Sequence, residues 1–387
     1  MANDVCAPVH DISTKIPEDG IALCLSGGGF RAMMFHAGCL WRLNEAGLLG
    51  RLNRISSVSG GSITSGVLGM NWNAIGISAS APSPKFLDLV IAPLRKLAST
   101  TIDEAAIFGG IFLPGSISDH VASQYDKLLF HGKTLQDLPD DNLADKPAPR
   151  FVINATNVQS GVLMRFSKPY MRDYRVGQVI SPALPLAKAV AASSAFPPVL
   201  SPCEIDVADC GLQFAPADGT EDLNFPPYTT KLVLSDGGVY DNLGLETAWK
   251  RYNTILVSDG GGHYKPDPAP HHDWARHAFR VLDLIDSQVR ALRTRQIVAL
   301  FQAKERKGAY WGIRQNVSVY PGRSVLACPV QRTTELAQYP TRLQKMDDQI
   351  QERLMNWGYA VCDAALRSYF DPDLPKPIQF PYPNSGV

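Results

Sequence analysis

The stretch ISSVSGGSITSG, residues 55–66, decides how the rest of the chain is read. Ile55 and Val58 open it as a short, β-branched apolar strand, and SITSGVLGMNW continues it with helical character. Ser59 stands between the two, with Gly60 and Gly61 directly behind it. A serine between strand and helix, flanked by residues with almost no side chain, has the setting of a nucleophile elbow. The sharp turn strains its backbone and lifts the hydroxyl clear of the sheet. Against the form G-x-S-x-G the chain reads Ser57-Val58-Ser59-Gly60-Gly61, so a serine replaces the first glycine. The plain alternative is a small-residue turn that caps a helix.

One strand earlier the pattern repeats. IALCL, residues 21–25, is an apolar strand that ends in SGGGFRA, residues 26–32, and MMFHAGCLWRLNEAGLL follows with helical period. Backbone N–H groups converge at such a turn and can hold an anion. A dinucleotide fingerprint is not met, because Ala32 stands where its last glycine belongs. A phosphate loop fails for want of G-K-[ST]. An oxyanion hole, which needs fixed donors aimed at a developing negative oxygen, fits. In a parallel α/β sheet the two Gly-rich turns fall at the carboxyl ends of adjacent strands, where such folds build their sites.

Farther along, RFVINAT (150–156) reads as a buried strand with GVLMRF (161–166) as its hairpin partner. ALPLAKAVAASS (183–194) is a helix of small residues that AFPPVLSP (195–202) must break. Residues 203–230 read as irregular. Two more strands, KLVLS (231–235) and TILVS (254–258), each end in Asp-Gly-Gly, at Asp236–Gly238 and Asp259–Gly261. Residues 274–301 form a long amphipathic helix, with Ala278, Leu282, Ile285, Val289 and Leu292 on the apolar face and Arg276, Arg280, Asp283, Ser287 and Arg290 opposite. A second covers 346–369, with Met346, Ile350, Leu354, Trp357 and Val361 inward. Both are expected to cover the sheet with their apolar faces. The apolar Gly-rich stretch 107–115 suits a core turn or a lid.

The bulk numbers exclude some classes. With 387 residues, 45% of them hydrophobic, the chain can bury a large core. Its 37 basic and 37 acidic residues leave no surplus for nucleic acid. Seven cysteines, odd in number and without a C-x-x-C pair, point to a reducing compartment. The first twenty residues lack a basic and apolar leader pattern, and no run of about 18 apolar residues appears. The expectation is a soluble, cytoplasmic protein.

A serine hydroxyl needs a base to take its proton. None of the eight histidines carries a turn motif of its own. Asp236 and Asp259 do, and each fits a Ser–Asp dyad, although each also fits a side chain that only shapes its own turn. Here the chain resembles a known family. SGGGFRA is similar to the G-G-G-x-[RK]-G motif of patatin-like phospholipases, SVSGG to their elbow, SDGG to their D-G-[GA] motif, and AASSAFPPVLSP (191–202) to the segment they carry between elbow and Asp. The four occur in the family's order.

The resemblance implies an α/β three-layer sandwich with a mostly parallel central sheet and helices on both faces. It implies a serine lipid acyl hydrolase of phospholipase A or lysophospholipase type, working through an acyl-enzyme. Ser59 is then the nucleophile and Asp236 the base, favoured over Asp259 by the context SDGGVYDN. Gly27, Gly28, Gly29 and Gly60 supply the oxyanion hole. Arg31, Gly237 and Gly238 support the turns, with Arg31 tying down its loop more than touching phosphate. Ala32 and Ser57 depart from the family pattern, and Ser57 and Ser62 stand as decoys near the nucleophile. No cofactor or metal is expected. The partners are a phospholipid or other acyl ester, a transiently touched membrane surface and an unidentified activator or lid that restrains the enzyme. In domain terms, 1–20 form an arm, 21–262 the catalytic core, and 263–387 a mainly helical part packed on the same domain. The alternatives are a Ser-His-Asp carboxylesterase using His263 or His277, and a non-catalytic anion- or nucleotide-binding protein.

Overall fold

Strand β1 (Glu18–Leu25) shows the architecture in its side-chain alternation. Leu23 and Leu25 belong to one hydrophobic core, Ala22 and Cys24 to a second on the opposite face. A strand buried on both faces needs covering layers on both sides. The computed structural model describes residues 17–78, 81–102, 116–141, 148–217, 222–262, 264–322 and 326–387. Among these, the remaining strands of one sheet are β2 (Arg54–Val58), β3 (Arg150–Asn157), β4 (Val162–Phe166), β5 (Tyr170–Asp173), β6 (Gly177–Ile180), β7 (Cys203–Asp206), β8 (Lys231–Asp236), β9 (Tyr252–Asp259) and β10 (Lys307–Gly312).

The main path runs β10-β9-β1-β2-β3-β4-β5-β6, with β8 on β3 and β7 on β8. From β10 to β3 the strands are parallel. Beyond β3 every pairing is antiparallel. The sheet is therefore mixed, and the parallel half carries both Gly-rich turns. Three residues of the expected N-terminal arm join β1, where Glu18 donates its N–H to the Arg251 carbonyl at 2.7 Å. The 203–230 stretch, expected to be irregular, contains β7. The 107–115 stretch lies outside the described residues.

Helix α1 (Gly29–Glu45) follows β1 and helix α2 (Gly60–Ile75) follows β2, as their periodicity predicts. The Asp348–Tyr369 helix packs along α1 with Leu354, Trp357 and Val361 inward. The two backbones touch closely: a Cβ on Gly38 would lie 1.9 Å from the Met355 carbonyl oxygen, and one on Gly358 2.0 Å from that of Phe35. A buried ion pair, Arg42 to Asp363 at 2.8 Å, locks the crossing.

The Trp274–Gln302 helix is oriented opposite to expectation. Its C-terminal end is anchored through Ile297 in the core beside β1 and β9. Over the rest of its length the side toward the protein carries Asp283, Asp286, Ser287 and Arg290, which line a cleft. Leu282, Ile285 and Leu292 face solvent. The reason is polar: Asp286 accepts from Asn242 Nδ2 at 3.1 Å, Arg290 donates to the Gly262 carbonyl at 2.6 Å, and Arg293 pairs with Glu246 at 3.0 Å. These ties, together with buried Arg290, decide which face turns inward. No described helix is long and apolar enough to cross a membrane.

Candidate active site

One edge of β3 brings the two key residues together. β2 runs along it in parallel as far as the pair Val58–Asn154. At the next residue of β3, Ala155, the partner is Asp236, the last residue of β8, which arrives from the opposite direction. The carboxyl ends of β2 and β8 thus abut, and sheet register alone sets Ser59 beside Asp236.

Ser59 has φ 52° and ψ −121°, a conformation costly for any residue with a Cβ. Its surroundings hold it there. The Ser59 N–H donates to Ser193 Oγ at 3.0 Å, and Ser193 Oγ–H donates to the Asn154 carbonyl at 2.6 Å. The Ser193 carbonyl accepts from Gly237 N–H at 3.2 Å, and Asp236 N–H donates to the Ala195 carbonyl at 2.9 Å. The end of the small-residue helix therefore clasps the elbow and the Asp turn at once. Ser193 was not singled out from the sequence. The available signal is a polar pair, Ser193-Ser194, closing an otherwise apolar small-residue helix.

The decoy serines find other work. Ser57 is fully buried in β2, with its hydroxyl 2.7 Å from Ser65 Oγ and accepting from Ser62 Oγ at 3.1 Å. Ser62 in turn lies 2.9 Å from Ser193 Oγ. A glycine at 57 would leave this hydroxyl chain incomplete, which accounts for the departure from the elbow pattern.

The two Asp-Gly-Gly turns differ in charge environment. Burial pushes the Asp236 carboxyl up to about 7, against the pull of the Gly238 amide and the Ser59 hydroxyl. Gly238 N–H donates to its Oδ1 at 2.7 Å, while Oδ2 completes no hydrogen bond among the described residues. The Ser59 contact is thus looser than the Gly238 one. Asp259 is equally buried, yet Arg290, Arg314, the Tyr310 hydroxyl and the Gly261 amide outweigh burial and hold its carboxyl below the ordinary range. Tyr310 Oη–H donates to it at 2.7 Å and Gly261 N–H at 2.8 Å.

The glycines divide as well. Gly27 N–H is taken up by Asn242, through both its carbonyl and its Oδ1 at 3.1 Å. The amides of Gly28, Gly29 and Gly60 have no partner among the described residues. Gly29 sits at φ 60°, and a Cβ on Gly60 would lie 2.2 Å from the Gly29 carbonyl oxygen, so side chains at either position would separate the turns. A Cβ on Gly237 would strike the Asn154 carbonyl at 2.3 Å. Arg31 ties its turn down, donating from Nη1 to the Tyr339 carbonyl at 2.5 Å and from Nε to that of Gly260 at 3.3 Å. Burial and the nearby Arg290 and Arg314 lower its pKa to about 9. Phe30 N–H donates to the Arg342 carbonyl at 3.0 Å, so a distant segment clamps the Gly-rich turn.

All of this opens on a cleft of about 720 Å³ lined by Gly27–Gly29, Ser59, Asp236, Phe196, Val199 and the polar side of the Trp274–Gln302 helix. Among the described residues no histidine lines it. His277 is exposed and meets the His271 carbonyl, and His36 is buried between Ser258 and the Ser26 carbonyl. His263 lies outside the described residues.

Comparison with solved structures finds the same fold. Human GIVD cytosolic phospholipase A2, solved in complex with methyl gamma-linolenyl fluorophosphonate, superposes with a TM-score of 0.50 at 14% identity, covering 89% of this chain and 57% of that one. A second structure of the human enzyme gives 0.49 at 14% identity, over 88% and 58%. VipD from Legionella pneumophila gives 0.32 at 15% identity, over 84% and 66%. The chain thus spans less than two thirds of the length of these solved proteins. No curated protein sequence matches it. The family model described as patatin-like phospholipase matches residues 23–249, more than half of the chain, a span that holds SGGGFRA, SVSGG, AASSAFPPVLSP and SDGG. The chain belongs to the patatin-like phospholipase family.

Proposed function

We propose that this protein is a serine lipid acyl hydrolase of phospholipase A or lysophospholipase type, working through a Ser59–Asp236 dyad. The observation that carries the reading is the abutment on β3, which joins a strained serine to a buried carboxylate with pKa raised to about 7. A base poised near neutrality is matched to proton transfer at physiological pH. Asp236 accepts the Ser59 proton as Ser59 Oγ attacks the ester carbonyl. The amides of Gly28, Gly29 and Gly60 receive the oxyanion, and such donors are worth about 10²–10³ in rate each. Collapse expels the alcohol or lysophospholipid, which takes up the proton, and leaves Ser59 acylated. Water, deprotonated by Asp236, then releases the fatty acid. Gly27 holds the loop through Asn242 and does not donate to the oxyanion. Asp259 shapes its own turn. Restraint by an activator or lid belongs to the same reading, and full-rate vesicle hydrolysis by the purified chain alone would overturn that part.

The test is incubation with a total lipid extract followed by mass spectrometry. Wild type releases fatty acid and lysolipid, whereas Ser59→Ala and Asp236→Ala release none above background. A fluorophosphonate, the class of compound in the human structure, labels Ser59 in the wild type. Retention of full activity by Ser59→Ala removes the proposal.

A further inference from the structure

The Trp274–Gln302 helix turns its apolar side to solvent beside the mouth of the cleft. We propose that this outer face, with Phe196 and Val199 of the same cleft, docks on an anionic lipid bilayer and sets the cleft opening against it. The inference deepens the hydrolase reading and rests on it, since a lipid substrate gives such a face its use beside a cleft.

Trp274, Val281, Leu284, Ile285 and Leu292 are between 41% and 85% exposed. At 100° per residue they fall in one sector, opposite Asp283, Asp286 and Arg290. Single exposed apolar residues need no explanation, but a sector of five along one helix does. The helix cannot roll to bury them, because Asn242, Gly262 and Glu246 hold its polar side. Phe196 and Val199 line the cleft and are themselves 40% and 45% exposed. Phe279 and Arg280, which belong to the helix, line the cleft too. The helix that bears the apolar sector therefore also walls the opening through which an acyl chain must pass.

Charge favours a bilayer over another occupant. The helix carries five arginines and two aspartates, and both aspartates line the cleft. The outer sector holds Arg295 and His277 and no carboxylate. An amphipathic helix with cations and a terminal tryptophan suits the headgroup boundary of anionic lipid. The 29 residues span roughly 43 Å at 1.5 Å rise each, long enough to lie flat along a surface.

The test uses the full chain with Ser59→Ala, so that lipid binding is read without hydrolysis, and vesicles of phosphatidylcholine with phosphatidylglycerol. Co-sedimentation is expected, with partitioning reduced about tenfold or more by Leu284→Asp with Ile285→Asp. With Ser59 intact, the same double variant is expected to hydrolyse a water-soluble short-chain ester at the wild-type rate and to lose the vesicle hydrolysis that the wild type shows. Equal vesicle binding by the double variant, or no binding by the parent, overturns the docking face while soluble-ester hydrolysis still supports the dyad. A change from dimer to monomer in sedimentation velocity, with vesicle binding untouched, assigns the face to a second copy and also overturns it. Soluble-ester hydrolysis that survives Ser59→Ala defeats the hydrolase reading instead, whatever the vesicles show.

Discussion

Two turns in this chain are spelled Asp-Gly-Gly, each closes a strand of the same sheet, and each carries a carboxylate almost wholly buried. They nevertheless have opposite electrostatics. Among the described residues Asp236 meets one amide, one hydroxyl, the like charge of Asp286 and no cation, so desolvation governs it. Asp259 meets two guanidiniums and a phenol, so its charge is balanced in place. The letters dictate the backbone shape, and glycine after aspartate permits a tight turn in both. What the carboxylate can do is decided by side chains far away in sequence, at 290, 310 and 314 for one turn and at 59 for the other. A buried charge without a counter-ion is expensive, and sites where it persists are candidates for chemistry.

Substitutions can break that contrast. The largest effect belongs to Asp236→Asn: turnover of a soluble ester falls by about 10³-fold or more, the scale seen when a member of a catalytic unit is removed. The fold survives. Asp236 has a raised pKa, so the native state gains protons relative to the unfolded chain as pH drops from about 7 toward 4. Its charge opposes folding above that window, and Asp236→Asn should raise the melting temperature at pH 8 and lose the advantage near pH 4. A variant equally active, or less stable at pH 8, would end the distinction.

Asp259→Asn should act the other way. It takes from buried Arg290 and Arg31 one of the carboxylates beside them and leaves Arg290 with Asp286 alone, a loss of about 3 kcal/mol by analogy with other broken buried pairs. Urea unfolding measures it. A carboxyl held below its ordinary range adds stability above the unfolded value and loses it as pH falls through the native one. The cost of Asp259→Asn therefore shrinks in acid, whereas activity per folded molecule changes little. The pH profile sharpens the same contrast: kcat/KM in the wild type should climb through about pH 7 as Asp236 ionises. A climb centred near pH 4 would point to an ordinary carboxylate. The smallest effect is Ser193→Ala, which removes one neutral hydrogen bond to the strained elbow and should lower kcat roughly three- to tenfold with KM unchanged. Ser193→Thr, keeping the hydroxyl, should restore most of it.

Much of this is legible in the sequence alone. Strand, Gly-rich turn and helix repeat twice, and the period change from two to 3.6 marks each boundary. Ser59, Asp236 and the clustered glycines follow from turn chemistry, which is local. The losses are non-local. β5, β6 and β7 have four residues each, too short for an alternating pattern to stand out, and β10 contains two glycines. The sequence predicts the extent of the Trp274–Gln302 helix and not its orientation. Periodicity locates an apolar face, but burial of that face is a default that Asn242 and Gly262 override. Gly27 shows the same limit, since its amide is claimed by Asn242, 215 positions away.

The clamp on the Gly-rich turn has a consequence for when activity can arise. Phe30 and Arg31 are held by the carbonyls of Arg342 and Tyr339, so the parts of the site span more than three hundred residues of synthesis. A growing chain that has already placed Ser59, and even Asp236, still lacks the strap over its Gly-rich loop. Assembly of the site is thereby tied to synthesis of the segment around residues 339–342, and on the hydrolase reading a chain that stops short of it would carry the two dyad residues without a fixed loop beside them.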